Sequence, residues 1–170
     1  MEEEDRTENG NELVSPRNFI ISGNKDALQS ASEYLTSSGY RTHIISSTLS
    51  GNAAEIGGRF ADLIASDRKD LKTSELLRTS SGIQNPFHFP LALVFGGETT
   101  VQLAANPGKG GRNQEMVLSC LQRLKSKNPR HQFTFLSAGT DGQDGPTDAA
   151  GAVISNSDLL LPSPTSSEFL

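Results

Sequence analysis

The chain has 170 residues, of which 34% are hydrophobic, and its formal net charge is −5. This length suits one domain of ordinary size, and the low hydrophobic content predicts a modest core. The acidic excess lies in residues 1–12 and the rest of the chain is balanced, which argues against a nucleic-acid-binding surface with clustered Lys and Arg.

The sequence also lacks the signs of a membrane protein or of cysteine and histidine chemistry. It has no apolar run long enough to span a membrane and no apolar or Arg-rich leader, so we expect a cytoplasmic protein without a membrane partner. Its one cysteine, Cys120, lies in an apolar helical pattern and is predicted to be a buried, unreactive thiol. The three histidines have no ligand spacing, which disfavours a histidine metal site.

The first third of the chain alternates between strand and helix patterns. A polar acidic tail over residues 1–16 is followed by an apolar strand at 18–22. Asn24 is placed to cap a helix that ends at Gly39. The turn before this helix lacks the spaced glycines of a dinucleotide-binding fingerprint, so a plain cap is favoured over an anion cradle.

A second strand at 42–46 and a second helix from about Asn52 repeat the alternation, which is typical of a parallel α/β sheet. Residues 66–85 are charged and rich in Ser and Thr, and they predict a loose connection with a weak helix at 74–78.

The remaining elements continue the same pattern. The clearest buried strand is 91–95, and a short strand is predicted at 101–104. A helix begins after the glycine run 107–111, and strands follow at 131–136 and 149–155. We therefore predict a Rossmann-like layered α/β domain with a mostly parallel sheet. The predicted boundaries are a disordered tail at 1–16, the domain at 17–158 and a second disordered tail at 159–170.

Two segments after predicted strands carry groups that suit an anion. Glu98 follows the strand 91–95, and the carboxyl ends of parallel strands are where α/β sheets place ligand chemistry. Arg112 follows a glycine run at the start of a helix, an arrangement that suits phosphate or carboxylate. It is not a P-loop, because Lys109 is followed by Gly110 rather than Ser or Thr. The alternative is a flexible turn with a solvated Lys and Arg.

A third segment, residues 137–151, is an aspartate- and glycine-rich loop. Asp141, Asp144 and Asp148 do not have the alternate spacing of a calcium EF-hand loop. Magnesium held by one or two carboxylates together with a nucleotide phosphate fits the pattern better. If the three strands are parallel neighbours, the three segments converge at one edge of the sheet.

These segments resemble a known family. The motifs at 96–101, 110–115 and 138–152 resemble the C-terminal region of the glycerate 2-kinase family, called the MOFRL domain, and the match runs from about Asn18 to Ser155. The resemblance implies ATP-dependent phosphorylation of D-glycerate to 2-phosphoglycerate with Mg²⁺. It also implies an active site in a cleft between two α/β domains.

The resemblance implies roles for individual residues. Arg112 would stabilise charge on the glycerate carboxylate or the transferring phosphoryl group, and Glu98 and Asp141 would be further catalytic residues. Asp144 and Asp148 would bind the metal. The substrate- and nucleotide-binding residues implied are Gly96, Gly97, Gly110, Gly111, Asn113, Gly139, Thr140, Gly142 and Thr147.

The sequence departs from the family pattern at both ends. It lacks the family's large N-terminal domain, and after the aspartate loop it runs into a Pro- and Ser-rich segment. We therefore expect a truncated form, incomplete at the C-terminus of the sheet and inactive alone. The alternative is a non-catalytic nucleotide- or anion-binding regulatory module. A metal-dependent phosphatase is less favoured, since no paired-carboxylate or His-rich signature is present.

Overall fold

The computed structural model describes residues 22–67, 71, 74–78, 88–103, 105 and 107–160. The predicted strand at 18–22, except for its last residue, lies outside these residues. The predicted tail at 1–16 also lies outside them, as does most of the predicted tail at 159–170.

Four helices and four strands follow one another in the described part of the chain. They are α1 (Asn24–Ser37), β1 (Arg41–Asn52), α2 (Ala53–Ala65), α3 (Glu75–Arg78), β2 (Leu91–Thr100), α4 (Arg112–Lys127), β3 (Thr134–Ala138) and β4 (Gly151–Ser155). A short 3₁₀ helix, Asn156–Leu160, follows β4.

The predicted α/β class is confirmed, with one change in the sheet. The strands β1 and β2 pair in parallel, as the alternation predicts. The strands β3 and β4 instead pair antiparallel. They are joined by a loop without a helix, whereas a parallel pair needs a long crossover connection that is usually helical. Within the described residues the two pairs form separate sheets.

The parallel pair is longer than predicted, because its second half is built from polar and glycine residues. Leu49 pairs with Gly97 and Asn52 with Thr100, so Glu98 lies within β2 rather than beyond its end. The register shifts between Ile44 and Ser46, and again between Ser46 and Leu49. No strand is found at 101–103, since β1 has already ended at Asn52; position 104 lies outside the described residues.

The core lies where α2 and α4 pack against both strand pairs. Phe60 of α2 contacts Phe95 of β2 edge-to-face, with ring centroids 4.9 Å apart, and contacts Phe135 of β3 at 4.8 Å. One aromatic side chain thus joins the two pairs. The buried face of α4 contains Met116, Val117, Cys120 and Leu124.

The caps of the helices follow local sequence in part. The second helix begins directly after Asn52, close to the predicted start, and Asn52 is its N-cap, since its side chain accepts the backbone N–H of Glu55 at 3.2 Å. The predicted cap at Asn24 is wrong, since the N-cap of α1 is Gly23, which has no side chain to accept a helix N–H. Asn24 instead donates from its side chain to the carbonyl of Ser47 at 2.6 Å. Gly39, with φ of +89°, stands at the end of α1 as predicted.

The cysteine prediction is confirmed. Cys120 is fully buried in α4, and burial raises the pKa of its thiol to about 12. Such a thiol stays protonated near neutral pH and is a poor nucleophile. As for the membrane, none of the helices in the described ranges has the length and apolarity needed to cross one.

Candidate functional site

The start of α4 is held by a buried carboxylate from the aspartate-rich loop. Asp144 is only 2% exposed. Its Oδ1 accepts the backbone N–H of Asn113 at 3.0 Å and the side-chain amide of the same residue at 2.9 Å. Its Oδ2 accepts the backbone N–H of Gln114 at 2.8 Å. These amides are among those that a helix N-terminus leaves without an internal partner, so Asp144 caps α4 from a distance of 31 residues along the chain.

The charge of this carboxylate is stabilised where it lies. Burial alone would raise the pKa of Asp144, but the hydrogen bonds from the amides of Asn113 and Gln114 outweigh that effect and lower the pKa below its usual value. The positive end of the α4 dipole favours the same charged form. Asp144 therefore acts as an internal anion at this helix N-terminus.

Further polar bonds tie the loop to the first turn of α4. Ser137 donates from its hydroxyl to the side-chain carbonyl of Asn113 at 2.7 Å. Gln114 donates from its side chain to the hydroxyl of Thr147 at 3.0 Å, and that hydroxyl donates to the backbone carbonyl of Asp144 at 2.8 Å. Ser137 and Gln114 were not singled out from the sequence. For Gln114 the available signal was the run of polar residues that opens an amphipathic helix.

The predicted binding glycines fall into two groups. At Gly96, Gly97, Gly111 and Gly139 a Cβ would collide with protein atoms. The atoms in the way belong to Asn24 at position 96 and to the Leu49 backbone at position 97. At position 111 they belong to Asp144. These glycines permit close packing within the protein, which is a role the sequence did not separate from ligand binding.

Two other glycines of the same motifs have open space around them. Gly110 and Gly142 adopt φ of +153° and +82°, and nothing lies within 4 Å of a Cβ built on either. Their conformations favour glycine. Of the predicted binding glycines, these two have room beside them for a ligand.

Glu98 and Arg112 are brought together, as the convergence hypothesis requires. The Nη1 of Arg112 lies 3.4 Å from Oε1 of Glu98, and the two side chains are 43% and 77% exposed. An exposed pair of this kind contributes about 0–1 kcal/mol, so the guanidinium stays available to a stronger anionic partner. The convergence is made by the start of α4, which contacts the end of β2 on one side and the aspartate loop on the other.

Asp141, Thr140 and Asp148 lie on the exposed part of the loop. The carboxylate of Asp141 accepts the backbone N–H of Gln143 at 3.3 Å, which closes a short turn. Within the described residues no hydrogen bond or ion pair joins Asp141 to Arg112, and their predicted joint role stays a prediction.

The described residues do not by themselves provide a complete set of magnesium ligands. No group of three or more His, Cys, Asp or Glu within the described ranges could hold a metal. Both oxygens of Asp144 already accept N–H donors. The metal-binding roles of Asp144 and Asp148 therefore stay predictions, and the role observed for Asp144 is that of a helix cap.

Taken together, the fold and the site define an α/β domain whose glycine-rich loops meet at one helix start, beside an exposed Arg–Glu pair. Residues 91–163 match the MOFRL family model. A Caenorhabditis elegans protein described as uncharacterized is 65% identical over 156 residues, covering 91% of this chain and 33% of that protein.

Two further relatives are named as glycerate kinases. The glycerate 2-kinase of Pyrococcus horikoshii is 32% identical over 143 residues, covering 84% of this chain and 29% of the relative. The crystal structure of a Thermotoga maritima glycerate kinase matches with a TM-score of 0.62 and 34% identity, over 80% of this chain and 29% of that one. The chain belongs to the glycerate 2-kinase family and corresponds to its C-terminal, MOFRL-containing region. It spans about a third of the length of the relatives it matches.

Proposed function

We propose that this chain provides one wall of a glycerate kinase active site, for the ATP-dependent phosphorylation of D-glycerate to 2-phosphoglycerate. The proposal is supported by relatives named glycerate kinase and by one observation in particular. Arg112 presents a half-exposed guanidinium beside Glu98, while the N-terminus of its own helix is already capped by the carboxylate of Asp144. An anionic ligand at this place would therefore be bound by the Arg112 side chain.

The proposed chemistry of the wall is charge recognition. A guanidinium offers a planar fork of donors that matches a carboxylate or phosphoryl group in two-point contact. In the proposal Arg112 binds the glycerate carboxylate or the transferring phosphoryl group, and Glu98 orients the guanidinium. ATP with Mg²⁺ would supply the phosphoryl group. No step of the mechanism is assigned to the metal, since the described residues do not form a site for it.

The proposed partner is the remainder of the family's architecture, an N-terminal domain that would supply the opposite wall of the cleft. We expect the 170-residue chain, produced alone, to turn over D-glycerate and MgATP far more slowly than about 1 s⁻¹, which is the lower end of ordinary enzyme turnover numbers. A coupled assay for ADP release measures this. Turnover at or above that rate would show that one wall is sufficient and would overturn the two-wall proposal.

A second candidate function is a non-catalytic anion- or nucleotide-binding module. It is favoured by the exposure of Arg112 and by the open space around Gly110 and Gly142. Calorimetry with MgATP and, separately, with D-glycerate tests it on the chain alone. Binding without turnover supports the module, and the absence of both heat and thermal shift would leave neither function supported for the isolated chain.

For both candidates we propose a cytoplasmic location, which a fluorescent fusion would test.

A further inference from the structure

We propose that Asp144 is a positioning residue, whose carboxylate fixes the first turn of α4 and so holds Arg112 beside Glu98. The ligand that Arg112 receives rests on the proposed function above. The positioning itself rests on contacts within the chain.

The first step is the place of the bonds. Asp144 accepts the backbone N–H groups of Asn113 and Gln114, the two residues directly after Arg112. Arg112 is the first residue of α4, so its backbone lies at the helix end that would otherwise fray. Fixing the next two amides fixes the direction in which the Arg112 side chain leaves the helix.

The second step is how closely the loop fits against the helix start. A Cβ at Gly111 would lie 2.5 Å from the Cγ of Asp144, and a Cβ at Gly145 would overlap the carbonyl of Gly110. Gly145 has a φ of +61°, a conformation that suits glycine. The loop therefore reaches the helix start through two positions that have no side chain, which leaves little freedom in their relative placement.

The third step is that the internal anion restricts where a ligand can bind. A free helix N-terminus attracts anionic groups through its amides and dipole. In α4 the carboxylate of Asp144 already accepts two of those amides, from Asn113 and Gln114, and brings its own negative charge to the helix start. A carboxylate or phosphoryl ligand is thus directed to the guanidinium of Arg112.

The fourth step is that the rest of α4 is held independently. Cys120 and Leu124, about two and three turns after Arg112, are fully buried in the core. Loss of Asp144 is therefore expected to loosen the first turn without melting the helix. This separates a positioning role from a general structural one.

The test measures the mobility of individual arginine side chains in the full 170-residue chain. The Nε–Hε signals of Arg112 and Arg123 are assigned by their loss in Arg→Lys variants, and their heteronuclear NOE is recorded. Arg123 serves as the internal reference, because its guanidinium is bound at two points by Asp62, with both distances 2.8 Å.

We expect Asp144→Ala to lower the heteronuclear NOE of Arg112 to that of a freely mobile side chain and to leave Arg123 unchanged. Asp62→Ala should lower the heteronuclear NOE of Arg123 and leave that of Arg112 unchanged. Asp144→Asn keeps one accepting oxygen, so we expect an intermediate value, and this variant carries the test if Asp144→Ala fails to fold. An Arg112 signal that is as ordered in both Asp144 variants as in the wild type would overturn the proposal.

Chemical rescue gives a second readout, which tests whether a carboxylate at the helix amides is what holds Arg112 in place. Asp144→Ala leaves a carboxylate-sized space at the helix amides, and formate is a carboxylate small enough to enter it. We expect formate, and not an equal concentration of chloride, to restore the Arg112 NOE in this variant. Equal effects of the two salts would count against the assignment.

Ligand titration separates this inference from the proposed function. If the wild type binds D-glycerate or MgATP, and Asp144→Ala both loses the order of Arg112 and binds the ligand as weakly as Arg112→Ala does, both proposals stand. If the wild type binds neither ligand, the proposed function fails for the isolated chain and the positioning role is judged by the NOE alone.

Discussion

A side chain at position 111 would collide with Asp144, because a Cβ there would lie 2.5 Å from the Cγ of that residue. Gly111 is the N-cap of α4 and has an extended φ of −141°, which any residue can adopt. The requirement for glycine at this position is therefore set by the neighbouring carboxylate rather than by the backbone conformation.

We predict that Gly111→Ala lowers the free energy of unfolding by about 2–3 kcal/mol, since it overpacks a buried contact. Urea denaturation measures the loss. Gly23→Ala is a matched control, because Gly23 is the N-cap of α1 with φ of −142° and only Asp26 near its Cβ, at 3.8 Å. The control should lose well under 1 kcal/mol, and equal losses would contradict the explanation by collision.

The two adjacent glycines of α2 are predicted to respond in opposite directions. A Cβ on Gly57 would overlap the backbone carbonyl of Met116 in α4, whereas on Gly58 it would meet the Cδ of Arg123 at an ordinary 3.5 Å. Gly57→Ala should destabilise the protein by about 1–3 kcal/mol through overpacking.

Gly58→Ala should stabilise the protein by about 0.5–1 kcal/mol, because alanine has the higher helix propensity. Thermal unfolding of the two variants beside the wild type checks both signs. If both substitutions are tolerated equally, the helices are further apart than described.

We predict that Arg112→Ala weakens the binding of an anionic ligand more than Lys109→Ala does. Arg112 has a planar fork of donors and stands beside Glu98, while Lys109 is exposed on the preceding loop. Losing charge-assisted hydrogen bonds should weaken binding roughly tenfold or more. Calorimetry with MgATP and with D-glycerate measures the ratio, and an equal or reversed order would remove Arg112 from the proposed site.

The loss of folding stability at acid pH should depend in part on Asp144. Its pKa is lowered in the folded protein, so its contribution is complete above its unfolded pKa of about 3.9 and is lost as pH falls through the folded pKa. The difference in unfolding free energy between wild type and Asp144→Asn should therefore shrink as the pH falls below about 4.

Asp62 gives the contrast that identifies burial as the cause. Its pKa is also lowered, first of all by its hydrogen bond with Arg123, but this pair lies half-exposed on the surface. Added salt should reduce the contribution of Asp62 and leave that of Asp144 nearly unchanged, because exposed pairs are screened far more than buried ones. A salt response of the same size at both positions would contradict the buried placement of Asp144.

How much of this structure could be predicted depends on how local each cause is. The helices α2 and α4 were predictable, because their apolar spacing and, for α2, the Asn52 cap lie within the segment itself. The cap of α4 was not, since its carboxylate is 31 residues away and an aspartate in a loop has no local sign of its partner. The length of β2 was missed for a related reason, because Gly96 and Gly97 weaken a strand pattern that β1 then completes by pairing.

The candidate site shows the same division. The meeting of Glu98 and Arg112 followed from the motifs, although the helix start rather than one continuous sheet edge brings them together. What composition could not show was which acidic residue is buried. Of the three loop aspartates, Asp144 points inward and Asp141 and Asp148 face outward, and only tertiary packing decides between them.

Because of the two register shifts, β1 uses 12 residues to pair along the 10 residues of β2. Extra residues in one strand bend it and increase its twist. Residues 45–48 therefore act as a spacer that decides which β1 residue stands opposite Glu98, at present Ser50. Because side chains alternate along a strand, removing one residue from this spacer would exchange the inward- and outward-facing side chains of the remaining β1 residues, 49–52. The β1 side chains that flank the Glu98–Arg112 pair are thus selected by the length of a segment that takes no part in that contact.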